Sequence, residues 1–154
     1  MLTVYLFVTV LVVLALVGLS IAVLIKNNRR VLNRSFAAFG ILLSMWILAN
    51  FVSNDTRQVA EVAHYANYVV FFASYAAMLS LLVFIITLTA NERAARWFRR
   101  FLWLFVPIGL LAPTPLVVAG VHIQDRVYAV DFGALAPLYF AALLGIIAWG
   151  VALL

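Results

Sequence analysis

An all-α bundle of transmembrane helices, carrying one small β-hairpin on its outer side, is the fold class that this sequence predicts. Three observations lead there. The chain is 68% hydrophobic and 10% charged, whereas a soluble domain is about half apolar and a quarter charged. Five uncharged runs reach the roughly 20 residues that a helix needs to cross a bilayer: Met1–Ile25, Ser35–Asn54, Tyr65–Asn91, Phe101–Val121 and Phe132–Leu154. Their length separates helix from barrel strand, since barrel strands are about ten residues long and alternate in polarity. Third, the segments between the runs alternate in charge. Residues 26–34 carry +4, residues 55–61 carry −1, residues 92–100 carry +3 and residues 122–131 carry −1.

That alternation orients the bundle. Lys and Arg in short loops stay cytoplasmic during insertion. Lys26, Arg29, Arg30 and Arg34, with Arg93, Arg96, Arg99 and Arg100, therefore mark the inner side and serve as topology or lipid anchors. The N-terminus and the second and fourth loops fall outside. The net charge of +5 thus reflects topology, and nucleic acid is not a partner. The chain has no cysteine, so disulfides and thiol chemistry are excluded.

Taken in order, the helices are expected over about 2–25, 35–53, 65–90, 98–113 and 132–154, with the hairpin over about 116–130. The first run has no basic leader and no small-residue cleavage site, so it reads as a retained helix rather than a signal peptide. Helix 2 opens with Asn33-Arg34-Ser35, where Ser35 is the expected N-cap. Trp46 and Asn50, four apart, share a face of it. In helix 3, Asn67 and Ser74 form one polar face and Ser80 and Thr87 another, both expected to turn inward. The stretch ERAARWFRRFLWLF interleaves arginine with aromatics. It is either a short interfacial helix on anionic lipid or an ordinary inner anchor with an aromatic belt. Helix 4 holds Pro107, which should kink it, and Pro113, by which it should end. The β-branched residues that follow, around Gln124-Asp125, predict the hairpin as Leu116–Ile123 against Arg126–Val130. Asp131 is placed to start helix 5. Small residues recur at four-residue spacing in Gly40/Ser44, Ala73/Ala77 and Ala141/Gly145, a pattern that permits close helix approach.

The missing chemistry is informative. No Asp, Glu, Lys or Arg lies within a predicted span, which argues against a proton pump, an ion-coupled transporter or a voltage sensor. The only lysine, Lys26, lies in a loop, so a retinal Schiff base is excluded. His64 and His122 both fall in outer segments, which disfavours a membrane haem. Imidazole and carboxylate from His64, His122, Asp125 and Asp131 suit zinc in kind, but nothing in their spacing demands a metal. No nucleophile–base set and no phosphate loop is present. No catalytic residues and no cofactor are assigned.

The stretch NRSFAAFGILLSMWILANFVSN, Asn33 to Asn54, resembles the second helix of the seven-helix N-terminal input region of bacterial sensor histidine kinases. Asn33, Arg34, Phe36, Ala37, Phe39 and Trp46 carry the likeness. DFGALAPLYF, through Gly133, Pro137 and Tyr139, is similar to the family's start of helix 5. The resemblance implies a sensory domain in the bacterial inner membrane, dimerising through a cytoplasmic part. The chain departs from the family in having five helices rather than seven. WGVALL reads as a cut near a helix end, with the phosphoacceptor and ATP-binding parts expected beyond Leu154. A receiving surface at the outer mouth would be lined by Asn50, Asn54, Tyr65, Asn67, Tyr68, Tyr128 and Asp131. Its small-molecule or lipid signal cannot be read from the residues. The alternatives are a non-catalytic membrane subunit or assembly factor and, third, a transporter fragment with its site at the broken helix 4.

Overall fold

The computed structural model describes residues 2–55, 59–124 and 127–154. Its elements are α1 (Leu2–Lys26), α2 (Val31–Ser53), α3 (Ala60–Leu88), α4 (Glu92–Leu111), β1 (Val118–Gln124), β2 (Val127–Phe132) and α5 (Ala136–Ala152). Three of the helices, α1, α2 and α3, are long and apolar enough to cross a membrane. Of the remaining two, α5 is apolar but has 17 residues, and α4 is charged through its first half.

The first three helices run antiparallel, one against the next. A two-sided turn joins α1 to α2. Asn33 donates its side-chain amide to the carbonyl of Asn27 at 2.8 Å, and the Arg29 N–H meets the Asn27 side chain at 3.1 Å. Asn33 therefore satisfies the end of α1 from within the first turn of α2. This moves the start of α2 back to Val31 and corrects the expected N-cap at Ser35. Ser35 is instead buried inside the helix, where its hydroxyl donates to the carbonyls of Val31 and Leu32, each at 3.0 Å. Close approach of α1 and α2 occurs where Gly40 faces Ser20. A Cβ on Gly40 would collide with the Ser20 hydroxyl oxygen, which itself donates to the Leu16 carbonyl at 2.7 Å.

The hub is α3, which packs on α2, α4, α5 and both strands. At 29 residues it is about 44 Å long, against about 30 Å of hydrocarbon. Ala73 and Ala77 are fully buried on it, so the small-residue spacing there does permit close packing. Its end is a complete Schellman motif: Asn91 N–H bonds the Ile86 carbonyl, and Ala90 N–H bonds the Thr87 carbonyl. Ala90 takes the left-handed conformation, φ 49°, that glycine usually supplies. Asn91 then caps α4 through a 2.9 Å bond from the Ala94 N–H. The arginine-rich stretch is thus the first half of α4, not a loop, which corrects the expected helix start near residue 98.

The expected fourth span, Phe101–Val121, is only half helix. The helix continues through Pro107 and stops at Leu111, so the uncharged part of α4 rises about 16 Å, half of the hydrocarbon thickness. The chain then turns. Ala112, Val117 and Val118 at its two ends are all at most 1% exposed, while Pro113, Pro115 and Leu116 between them are exposed. The turn's polar groups are satisfied internally: Val117 and Val118 N–H meet the Thr114 carbonyl, Gly133 N–H meets Val117, and Leu135 N–H meets Leu116. Gly133 sits so close to the carbonyls of Pro115 and Leu116 that a Cβ would clash with both.

The hairpin forms as the β-branched run predicted. β1 and β2 pair antiparallel from Gln124↔Val127 to Val118↔Phe132, with an irregularity between Val118 and Gly120. The hairpin extends through Phe132, so Asp131 lies opposite Gly120 within β2. This corrects its placement at the start of helix 5. That helix begins at Ala136 with Pro137 in its first turn, where proline costs no hydrogen bond. The core joins α3, α4, α5 and the hairpin base through Tyr75, Leu82, Ile86, Ile108, Val118, Tyr139 and Ile146.

Candidate functional site

Two ends of the bundle can be told apart by contacts. Phe36 at the start of α2 meets Phe84 near the end of α3, ring centroids 5.6 Å apart. Phe98 and Phe101 of α4 meet Trp149 of α5 at 6.4 and 6.5 Å. These pairs define an arginine end. At the opposite, hairpin end, Phe71 of α3 meets Phe132 of β2 at 6.0 Å. All eight described cations, Lys26 through Arg34 and Arg93 through Arg100, belong to the arginine end, while Asp55, Glu61 and Asp131 belong to the hairpin end. Arg57, Asp125 and Arg126 lie outside the described residues.

The seven residues expected to line one outer surface are distributed over several places. Asn50 lies in the last turn of α2 and Asn54 is its C-cap, and the two line a groove of about 460 Å³ against the first turns of α1. Tyr5, Thr9, Trp46 and Asp55 share that groove. The Asn54 amide donates to the Asn50 carbonyl at 2.7 Å and lies 3.3 Å from the Asn50 side-chain oxygen, so the two amides act as one polar lip. Trp46 and Asn50 do share a face, as their spacing predicts. Tyr5 and Thr9 were missed, although two polar residues four apart near the start of a largely apolar helix were a signal for them.

Tyr65 and Tyr68 belong to a separate aromatic knot on the first turns of α3. His64 Nε2 is 2.9 Å from the Tyr68 hydroxyl, and the three rings pack edge to face with centroids 4.5 to 6.1 Å apart. Asn67 is 6% exposed and turns its amide to the Ala63 carbonyl at 2.9 Å, so it serves packing within the helix interior rather than a surface. Tyr128 is 9% exposed at the hairpin. Asp131 is engaged across the hairpin by His122, whose Nδ1 lies 3.1 Å from the carboxylate. His64 and His122 thus have different partners, and among the described residues no group of three metal-ligating side chains forms.

A buried polar knot ties α5 to α3 beneath this end. The Tyr139 hydroxyl donates to the Phe71 carbonyl at 2.8 Å and lies 3.0 Å from Ser74 Oγ, which itself bonds Phe71 at 2.9 Å. Ser74 therefore faces inward, as the polar spacing in helix 3 predicts. Tyr75 packs beside Tyr139, centroids 5.5 Å apart, and against Gly109 of α4, where a Cβ would stand 2.8 Å from its ring.

Chemically, the α1–α2 groove offers two amides, a phenol, an indole and one carboxylate on an apolar floor. Such a set can recognise a small polar molecule by hydrogen bonding and stacking. No family model, no curated protein and no solved structure matches this chain.

Proposed function

We propose that the chain is the membrane sensory input domain of a bacterial signal-transduction histidine kinase, passing a conformational bias to a cytoplasmic output domain outside this chain. The observation that carries this reading is the shape of the α1–α2 pair. The two helices come into close contact at Ser20 and Gly40 and leave the Asn50–Asn54 groove at the hairpin end. A pair fixed near one point and open above it changes angle when the opening is filled. A ligand that prefers one angle shifts the population toward it and can do no more than its differential affinity allows.

The path to the far end is short. α2 lies along α3, and α3 ends in the tight Thr89–Asn91 turn that fixes α4. Gathering of the cations at one end supports an N-out orientation, because Lys and Arg favour the cytoplasmic side. The five-span count rests on α4 and α5 crossing together with the turn that joins α4 to the hairpin.

The test uses the full reading frame in lipid nanodiscs. A sensor continues into a phosphoacceptor histidine and an ATP-binding domain, and Asn50→Leu with Asn54→Leu changes its autophosphorylation severalfold. A frame without that output, or an output indifferent to both substitutions, refutes the proposal.

A further inference from the structure

At the arginine end, α4 and α5 enclose a second, larger groove of about 650 Å³. Its walls are apolar and aromatic, built by Trp97, Phe101, Phe105 and Ile108 of α4 and by Ala142 and Trp149 of α5. Gly145 also faces it, with nothing within 4 Å of where a Cβ would stand. The third small-residue pair, Ala141 and Gly145, therefore opens on this groove rather than on a neighbouring helix. From Leu138 to Leu153 the groove follows α5 for about 22 Å, more than one leaflet of a hydrocarbon core of about 30 Å.

The rim is charged. Arg93 and Trp97 belong both to the groove and to a hollow of about 150 Å³ bounded by Arg93, Arg96, Trp97 and Arg100. The three cations share one helical face by their spacing. Arg100 is held over the Trp97 ring at 5.6 Å. Glu92 lies 3.7 Å from Arg96, both exposed, so the rim keeps an excess of positive charge. The site thus has a cationic mouth at the membrane surface and a long apolar body below it.

The geometry points to a bound anionic phospholipid, its phosphate at Arg93, Arg96 and Arg100 and one acyl chain along Trp97, Phe101 and Trp149. A second copy of the chain in parallel orientation would bring its own arginine end against this rim and be repelled. A zwitterionic lipid brings a choline cation with its phosphate and would leave the rim's excess positive charge, three arginines against Glu92, uncompensated. This inference needs the arginine end to lie at a bilayer surface; it does not need the sensor reading.

The protein reports on the groove by itself, since two of its four tryptophans, Trp97 and Trp149, line it. Trp46→Phe with Trp103→Phe leaves only those two. This variant is reconstituted in phosphatidylcholine vesicles containing a rising fraction of acyl-brominated phosphatidylglycerol or acyl-brominated phosphatidylcholine, and fluorescence quenching is recorded. Each cation near an anionic surface is worth about fivefold in affinity. Half-quenching by the anionic lipid is therefore expected at a mole fraction at least tenfold lower than by the neutral one. Arg93→Gln, Arg96→Gln and Arg100→Gln together bring the two curves into coincidence. Gly145→Leu, which fills the groove and keeps the cations, raises the fraction of anionic lipid required. Equal curves for the starting protein, selectivity that survives loss of the arginines, or tryptophans shielded from both lipids by a protein contact would each overturn the inference.

Discussion

Replacing Gly40 by alanine puts the α1–α2 seam to a sharp test. The added Cβ would overlap the Ser20 hydroxyl oxygen, yet the Ser20 Cβ and the Leu16 carbonyl would both stand at 3.6 Å, an ordinary contact. One atom is the obstacle. It can leave only by rotating, which surrenders its 2.7 Å bond to Leu16. Side-chain hydrogen bonds in membranes average about 0.6 kcal/mol and reach about 1.7, while forcing an extra methyl into a packed seam costs about 1–3 kcal/mol. The cheaper route governs at about 1–1.5 kcal/mol, and alanine regains about 0.5–1 kcal/mol over glycine inside a helix, so Gly40→Ala should destabilise by about 0.5 kcal/mol net. Ser20→Ala should cost about 0.5 kcal/mol, because the Leu16 carbonyl belongs to the helix ladder in any case. The double variant keeps alanine's helix gain without the overlap and should be slightly more stable than Ser20→Ala, giving a favourable coupling of about 1 kcal/mol. Reversible unfolding of the reconstituted protein measures all three. A coupling near zero, or a double variant no more stable than Gly40→Ala alone, would sink the assigned packing and with it the fixed point of the proposed groove.

The other predictions rest on different elements. Gly133→Ala should be far more damaging than Gly40→Ala, about 3 kcal/mol or more, because the obstacles are the backbone carbonyls of Pro115 and Leu116, which cannot rotate away; the same unfolding assay ranks the two. Ala90→Gly should raise stability by up to about 1 kcal/mol, since φ 49° costs an L-residue about 1–2 kcal/mol and glycine returns part of that as entropy; a thermal shift of the purified protein reads it. Because the chain has no native cysteine, single cysteines report orientation cleanly. In intact cells Asn28→Cys should be shielded from an impermeant thiol reagent and Gln124→Cys labelled, and the opposite pattern would reverse the proposed topology.

Helix number and the hairpin were legible because uncharged length and a β-branched run are local properties. Element ends were not, because charge marks the membrane border and not the helix border. The arginines at 93–100 read as an inner anchor or a separate interfacial helix ahead of the span, yet Asn91 and Glu92 make a sound start there for α4 itself. Ser35 has the residue type of a cap, but Asn33 had already tied off α1, and only the tertiary turn reveals that. The outer polar residues suffered a similar averaging. Tyr65, Asn67 and Tyr68 are neighbours in sequence, but about 100° of turn per residue sends Asn67 inward and leaves Tyr65 out. Asn50 and Trp46 were legible as a face; Tyr5 and Thr9 opposite them required the pairing of two helices.

The residues that carry the family resemblance have structural work that accounts for them. Asn33 ties α2 to the end of α1, Phe36 packs on Phe84, Ala37 is 1% exposed, Gly133 lets the hairpin base close, and Tyr139 anchors α5 to α3. A likeness through such positions speaks to how the helices are joined, and is silent on what they bind. Trp46 is the exception, since it belongs both to the resemblance and to the α1–α2 groove. If relatives of this chain sense different molecules, variation should therefore fall on Tyr5, Thr9, Asn50 and Asn54, with the joining residues unchanged. Exchanging those four residues between two such chains should exchange their responses and leave their stabilities alike. Transfer of the response by the joining residues instead would place the receiving surface elsewhere.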